Sequence, residues 1–457
     1  MKYPLIKKVL MIGLLAGLLM IPLMMIKDVV HERSAYRDQA RYSIAQSWTA
    51  EQQLLGPLLV VPYKERYTEQ VWDEKLKRYD IKQRVRDGRL LIAPEGLTVE
   101  GKVAAESRQR GIYAVPIYRS RLAIAGSFDL RGLTEFVQAS EHTIEWQPAY
   151  LSVMISDVRG VERQPLLQWG GENYEFAPDT RIDGMSNGMH APLGKLRTQE
   201  GTVAFGFELM LNGMEQLEFS PMGKNTSVSL QADWPDPSFI GRYLPSSRDI
   251  DDRGFSATWN LSSFSSGIPR HLSACQEGNC SMLMREVFGV KLFNSVDIYQ
   301  QSERSVKYAL LFVGLTFVSF FLYEVMKGLR LHPMQYLLVG LGLSVFYLLL
   351  ISLSEHMAFA YAYAVATAAS TLLIGFYVSS VLGSVKHGGA IGGALLLLYA
   401  LLYGILSSED NSLLMGSLLI FGVLSLVMIV TRRIDWYAIT DDLTVRVAER
   451  KKAQQSA

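Results

Sequence analysis

The sequence predicts a membrane protein of the α+β class. It would have an N-terminal transmembrane helix, a large mostly-β, sandwich-like domain outside the cytoplasm, and a C-terminal bundle of five transmembrane helices. Three observations predict it. Long charge-free apolar runs stand at the two ends of the 457-residue chain. The segment between them alternates apolar and polar residues with the period of strands. Among the short segments that flank the apolar runs, Lys and Arg fall on one side only. Hydrophobic residues make up 49% of the chain and charged residues 19%, less charge than water-soluble domains carry.

The first run, "VLMIGLLAGLLMIPLMMI" (residues 9–26), follows Lys7 and Lys8 and holds no charge. Lys27 and Asp28 come next, where a cleaved signal would need small residues, so the run reads as a retained anchor (domain 1–26). Five more runs follow at about 306–326, 334–353, 358–382, 388–406 and 412–430. Each is close to the ~20 residues a helix needs to cross ~30 Å of hydrocarbon. With the amino terminus inside, the short inner segments carry Lys2, Lys7, Lys8, Lys327, Arg330, Lys386, Arg432 and Arg433. The short outer loops carry Glu355, Glu409 and Asp410 and no basic residue. Both termini, including the 431–457 tail, are therefore expected inside and residues 27–305 outside.

The outer segment opens with a helical stalk, about 27–55, in which Val29, Tyr36, Ala40 and Ile44 recur at helical spacing. After "GPLLVVPY" the period becomes two. In "RYDIKQRVRDG", Tyr79, Ile81, Gln83 and Val85 share one face, and Arg78, Asp80, Lys82, Arg84 and Arg86 the other. Asp87-Gly88 and Asn212-Gly213 read as hairpin turns. The segments "IYRSRLAIAGSFDL", "YLSVMISDV" and "TSVSLQADW" read as strands, and the whole as a sandwich.

Few residues offer chemistry. "GMSNG" (residues 184–188) has the G-x-S-x-G form, but that elbow must lead into a helix, and Gly and Pro follow it here. Ser186 thus belongs to a glycine-rich loop, and His190 just beyond it reads as a surface-loop residue, a weak candidate for ligand or partner contact. Glu355 and His356 form a second such candidate at the outer end of an apolar run. The seven His show no metal-ligand spacing, no cofactor is expected, and a net charge of +1 speaks against nucleic acid. The basic stretch Lys75–Arg89 is interleaved with acids, which fits a solvated strand face; contact with anionic lipid or an envelope polymer is the functional alternative. Cys275 and Cys280 lie outside the cytoplasm, where a disulfide is permitted; the sequence leaves the pairing open.

Inside the spans, ionisable residues are almost absent; Glu324 lies near the inner end of the second run, and Lys327 three residues on suggests a helix-end pair. Ala360, Ala364 and Ala368, and Gly388 with Gly392, are spaced for close helix packing.

The stretches "RLHPMQYLLVG", "FYLLLISLSEH", "RRIDWYA", "WPDPSFIGRYLP", "KYALLFVGLTFVSFFLYE" and "LLGPLLVVPY" closely resemble the CreD family of bacterial inner-membrane proteins. The resemblance covers nearly the whole chain. It implies a Gram-negative inner-membrane protein whose large domain is periplasmic. It also implies a part in cell-envelope integrity, with expression tied to a two-component system and to envelope or β-lactam stress. No catalytic residue comes with it. The expected protein is non-enzymatic, with membrane lipid and an envelope protein or cell-wall component as partners. The alternative is a transporter- or permease-like component that moves a small molecule or lipid through the bundle. The oligomeric state is left open.

Overall fold

The structure, a computed structural model, describes residues 4–74, 77–196, 201–292, 298–327, 331–407 and 412–432. Two compact units emerge, Met1–Asp38 with Val296–Ala457, and Gln39–Ser295. The tail, the segment "RRIDWYA" after Arg432, and Glu409 and Asp410 lie outside the described residues.

Helix α1 (Pro4–Ser47) begins in the first unit. Its apolar part is uninterrupted, and Pro22 is carried inside it. The helix stops at Ser47, short of the expected stalk end at 55. There the backbone is captured by the β unit: the Ala50 N–H donates to Asp157 Oδ2 at 3.0 Å, and Gln52 starts a strand.

The strands are β1 (Gln52–Asp73), β2 (Arg78–Ile92), β3 (Gly96–Arg110), β4 (Tyr113–Asp129), β5 (Thr143–Trp146), β6 (Ala149–Ile155), β7 (Leu166–Trp169), β8 (Glu172–Glu175) and β9 (Ala177–Pro178). They continue with β10 (Gly188–Gly194), β11 (Thr202–Met214), β12 (Gln216–Phe219), β13 (Asn225–Ala232), β14 (Pro237–Gly241), β15 (Ser247–Asp251), β16 (Gly254–Ser262) and β17 (Phe288–Leu292). Helices α2 (Arg131–Ala139), α3 (Ser263–Ser266) and α4 (Ile268–Gln276) interrupt them. One sheet runs β14-β17-β12-β1-β6-β10-β9, with β2 and β5 also on β1; the other runs β15-β16-β13-β3-β4-β11-β7-β8. Alternate side chains of both sheets meet in one core, among them Leu59, Leu151 and Phe288 from the first and Leu122, Phe128 and Trp259 from the second. Two sheets sharing one core make a sandwich.

Both expected hairpin turns are corrected. Strand β2 runs straight through Asp87-Gly88, which pair with Lys64 and Tyr63 of β1. Strand β11 runs through Asn212-Gly213, which pair with Arg119 and Tyr118 of β4. In each case the glycine faces a tyrosine ring across the ladder, and a Cβ would collide with that ring. The glycines serve close packing under an aromatic side chain rather than chain reversal.

In the helical unit, α5 (Ile298–Lys307) and α6 (Ala309–Lys327) meet at a bend of 41°. The second apolar run, about 306–326, is thus nearly all α6, and the polar helix α5 leads into it. The bundle continues with α7 (Pro333–Ser354), α8 (Phe359–Leu382), α9 (Val385–Ser407) and α10 (Ser412–Thr431). By length and composition α1, α7, α8 and α9 can each cross a membrane, and α5–α6 taken together give a fifth crossing. Leu19 and Leu23 of α1 share a core with Phe312, Phe317, Leu343 and Tyr399. Leu19 packs directly over Gly340 of α7, so the two helices approach closely there.

Candidate functional site

Strands β1 and β2 stay paired from Leu59–Ile92 out to Asp73–Arg78. Strand β5 flanks β1 only at Tyr63–Arg66, and β2 pairs with β1 alone. Beyond Arg66 the pair is therefore a two-stranded ribbon, an arrangement that is marginal in water by itself. Tyr79, Ile81 and Val85 are 65%, 71% and 57% exposed, and Trp72, edge-on to Tyr79 with ring centres 5.0 Å apart, is 50% exposed. The sequence predicted this period-two face but not that water lies on both sides of it.

The opposite face is ionic. Arg86 donates to Glu65 at 2.7 Å, Arg84 to Glu69 at 3.1 Å and Arg78 to Asp80 at 3.1 Å. Among the described residues Lys82 has no ion-pair partner. Arg78, Lys82, Arg84, Arg86 and Arg89 outnumber Asp80 and Asp87 along β2. A basic edge strand discourages pairing with a second copy of itself and attracts an anionic surface.

The other sequence candidates fall elsewhere. His190 is not in a surface loop. It sits on β10, 3% exposed, with Nδ1 2.6 Å from the carbonyl oxygen of Asp179 and its ring edge-on to Tyr150. The sandwich needs it as a buried residue because β10 lies between β6 and β9. Ser186 is exposed in a turn that leads into β10, a strand, so the geometry of a nucleophile elbow is absent there. Cys275 and Cys280 form a disulfide at the end of α4, and both are buried in the sandwich core.

At the C-terminal end of α7, Glu355 accepts from the Tyr299 hydroxyl at 3.2 Å and lies 3.8 Å from Arg33 of α1. His356 is exposed, and its Nδ1 lies 3.1 Å from the carbonyl of Ser352. At the other end Glu324 is buried, accepting from Lys8 of α1, from the Leu331 N–H at 3.0 Å and from the Tyr336 hydroxyl at 3.0 Å. The expected partner, Lys327, has its side chain outside the described residues. Helix α1 is thus fastened to the bundle by a carboxylate at each end, a pairing across 316 positions that no local pattern signals.

Gly388 and Gly392 are buried, Gly388 against Ser379 and Gly375 of α8. The alanine stripe is corrected: Ala360, Ala364 and Ala368 face outward, while Ala362, Ala366 and Ser370 are buried. In "FAYAYAVATAAS" two alanine series share the same spacing, and the buried Phe359 and Tyr363 mark the inner face.

In the β unit, Glu218 on β12 is half-buried, and desolvation, followed by the charge of Glu51, pushes its carboxyl above the usual range. A carboxyl raised in the folded state favours folding fully below its unfolded value of about 4.3. That advantage is lost as pH rises through the raised value. Glu218→Gln is therefore expected to flatten the decline of Tm between acid and neutral pH. Thermal unfolding across pH checks this, and an unchanged slope rules the contribution out.

A bundle of apolar helices with a large β-sandwich unit defines a multi-pass membrane protein of mixed architecture. The chain matches the family described as "Inner membrane protein CreD" over residues 4–437. It is also 34% identical over 421 residues to Inner membrane protein CreD of Escherichia coli (strain K12), covering 92% of this chain and 91% of that protein. The chain belongs to the CreD family of inner membrane proteins. Likenesses to solved structures are faint. A Legionella pneumophila protein described as nutrient-binding matches 49% of this chain and 77% of its own, at 7% identity and TM-score 0.22. An M1 zinc metallopeptidase from Deinococcus radiodurans matches 37% and 38%, at 10% identity and TM-score 0.18. Neither bears on function.

Proposed function

We propose that this inner-membrane protein is non-enzymatic and supports cell-envelope integrity under envelope or β-lactam stress. Its sandwich lies in the periplasm and docks on an anionic phospholipid surface through the β1–β2 ribbon. The observation that carries the reading is the exposed face of Trp72, Tyr79, Ile81 and Val85 beside a basic edge strand. Trp and Tyr favour the membrane interface, where an apolar body and a polar tip are both satisfied, and basic residues add attraction to anionic lipid. The reading takes α10 as a sixth span beside the five crossings that length and composition allow, and the one-sided distribution of Lys and Arg supports both termini in the cytoplasm. The non-catalytic reading is supported by His190, whose ring nitrogen is committed to a backbone carbonyl. The three partners of Glu324 favour an anchor over a transport path through the bundle.

The test is dye permeability in a strain lacking the gene, complemented with wild type or with Trp72→Ser/Tyr79→Ser/Ile81→Ser. These side chains lie on the surface, so the variant is expected to insert and fold yet fail to restore the barrier. In parallel, the full chain in zwitterionic nanodiscs should co-float with anionic vesicles and the variant should not. Full rescue by an inserted variant overturns the ribbon's role. Failed rescue with unchanged flotation would assign the ribbon to a protein or polymer partner instead.

A further inference from the structure

The helical unit holds an apolar groove of about 720 Å³ among α6, α9 and α10, walled by Leu315, Phe320, Ala394, Leu398, Leu418 and Gly422. Helix α10 stands off from the bundle across it: among its described side chains only Gly416 is buried. A Cβ built at Gly422 meets nothing within 4 Å, so that wall is open space and not a helix contact. Such a gap between apolar helices cannot stay empty in a bilayer, because its lining would lose its dispersion contacts. A second observation says more about the occupant. Tyr323 also lines the groove, and its hydroxyl is buried without a hydrogen-bond partner. An unpaired hydroxyl in an apolar medium is costly and calls for an acceptor. Beside it lie His387, with ring centres 5.6 Å apart, and then exposed Lys386 at the start of α9.

We infer that the groove is a binding site for one membrane phospholipid. An acyl chain fills the space between α9 and α10, and the Tyr323 hydroxyl donates to the ester or phosphate oxygens near His387 and Lys386. Apolar walls along the length with hydrogen-bonding groups at one end match the two-part chemistry of a phospholipid. The site stands independently of the ribbon and would hold α10 to the bundle.

Native mass spectrometry of the full chain, extracted in mild detergent and progressively delipidated, tests this. The wild type should retain one phospholipid after bulk lipid is gone. Ala394→Phe/Gly422→Leu, which fills the groove, should abolish retention. Leu396→Phe, on an exposed position outside the lining, should not. Tyr323→Phe keeps the shape and removes one hydrogen bond, so retention should weaken roughly two- to tenfold. If the filled variant fails to fold, the Tyr323→Phe comparison decides alone. Equal retention by wild type and Tyr323→Phe overturns the site, as does retention by a folded, filled variant. Loss of self-association with no change in lipid would show that a second copy of the chain fills the groove, and the proposal fails.

Discussion

Glu324→Ala is expected to destabilise the detergent-solubilised protein by about 3 kcal/mol, the usual cost of breaking one side of a buried ion pair. The Glu324 side chain is 5% exposed and accepts from three donors on different elements. Its loss leaves the Lys8 ammonium, 27% exposed, without its counter-ion, and leaves the buried Tyr336 hydroxyl without an acceptor. Both are expensive in an apolar setting. Lys8→Met should cost less, because the ammonium end can reach water. The double replacement Lys8→Met/Glu324→Leu should recover part of the loss, since an apolar pair of similar volume removes the charge problem entirely. Thermal unfolding of wild type, Lys8→Met, Glu324→Leu and the double variant in one detergent closes the cycle. A coupling below about 0.5 kcal/mol would place the pair with ordinary solvent-exposed salt bridges and remove this anchor of α1.

Gly213→Val should cost the β unit about 3 kcal/mol. Gly213 sits directly opposite Tyr118, which is 1% exposed and whose hydroxyl donates to the Gln216 carbonyl at 2.6 Å. A branched side chain pushes the ring off that acceptor. It also meets the Gln52 side chain, which holds the carbonyls of Asn212 and Asp157 at 2.8 and 2.9 Å. Overpacking and three disturbed hydrogen bonds therefore act together. Gly88→Val, opposite the half-buried Tyr63, has room to relax and should cost clearly less. Chemical denaturation of both variants measures the difference. Equal, small losses would mean that these glycines are turn-like after all.

Those two glycines show where sequence reading stops. Asn-Gly and Asp-Gly favour tight reversals, yet a glycine beneath a cross-strand tyrosine leaves the same letters. The distinguishing fact is which residue lies opposite, and Tyr118 is 95 positions away from Gly213. The strand character of "IYRSRLAIAGSFDL" and "TSVSLQADW" was legible because half-buried strands alternate, and β4 and β13 do, whereas "YLSVMISDV" became β6, buried on both faces and readable only as a short β-rich run. The apolar helices were legible because a bilayer demands long uncharged runs; the bend before Ala309 was not, since it changes no composition. Of the candidate site, the alternation of Tyr79, Ile81 and Val85 could be read, but its exposure could not. A face covered by a second layer and a face open to water have the same period. The phase of the alanine stripe and the burial of His190 depend on neighbours that only the fold supplies.

The order of strands in the two sheets bears on how the sandwich comes together. Strand β1 is hydrogen-bonded in parallel to β12, pairing Gln52 with Leu217, and β3 in parallel to β13, pairing Gly96 with Asn225. Each sheet is thus split between chain made early and chain made late, joined along a parallel seam. Until residues beyond 216 are made, the start of β1 (Gln52–Leu54) and β3 from Gly96 to Val103 have no neighbour on that side. Non-local pairings of this kind are slow to form and leave sticky intermediates. The half-built sandwich would then wait for its second half. The late strands β12 and β13 are therefore expected to set the rate at which the sandwich closes.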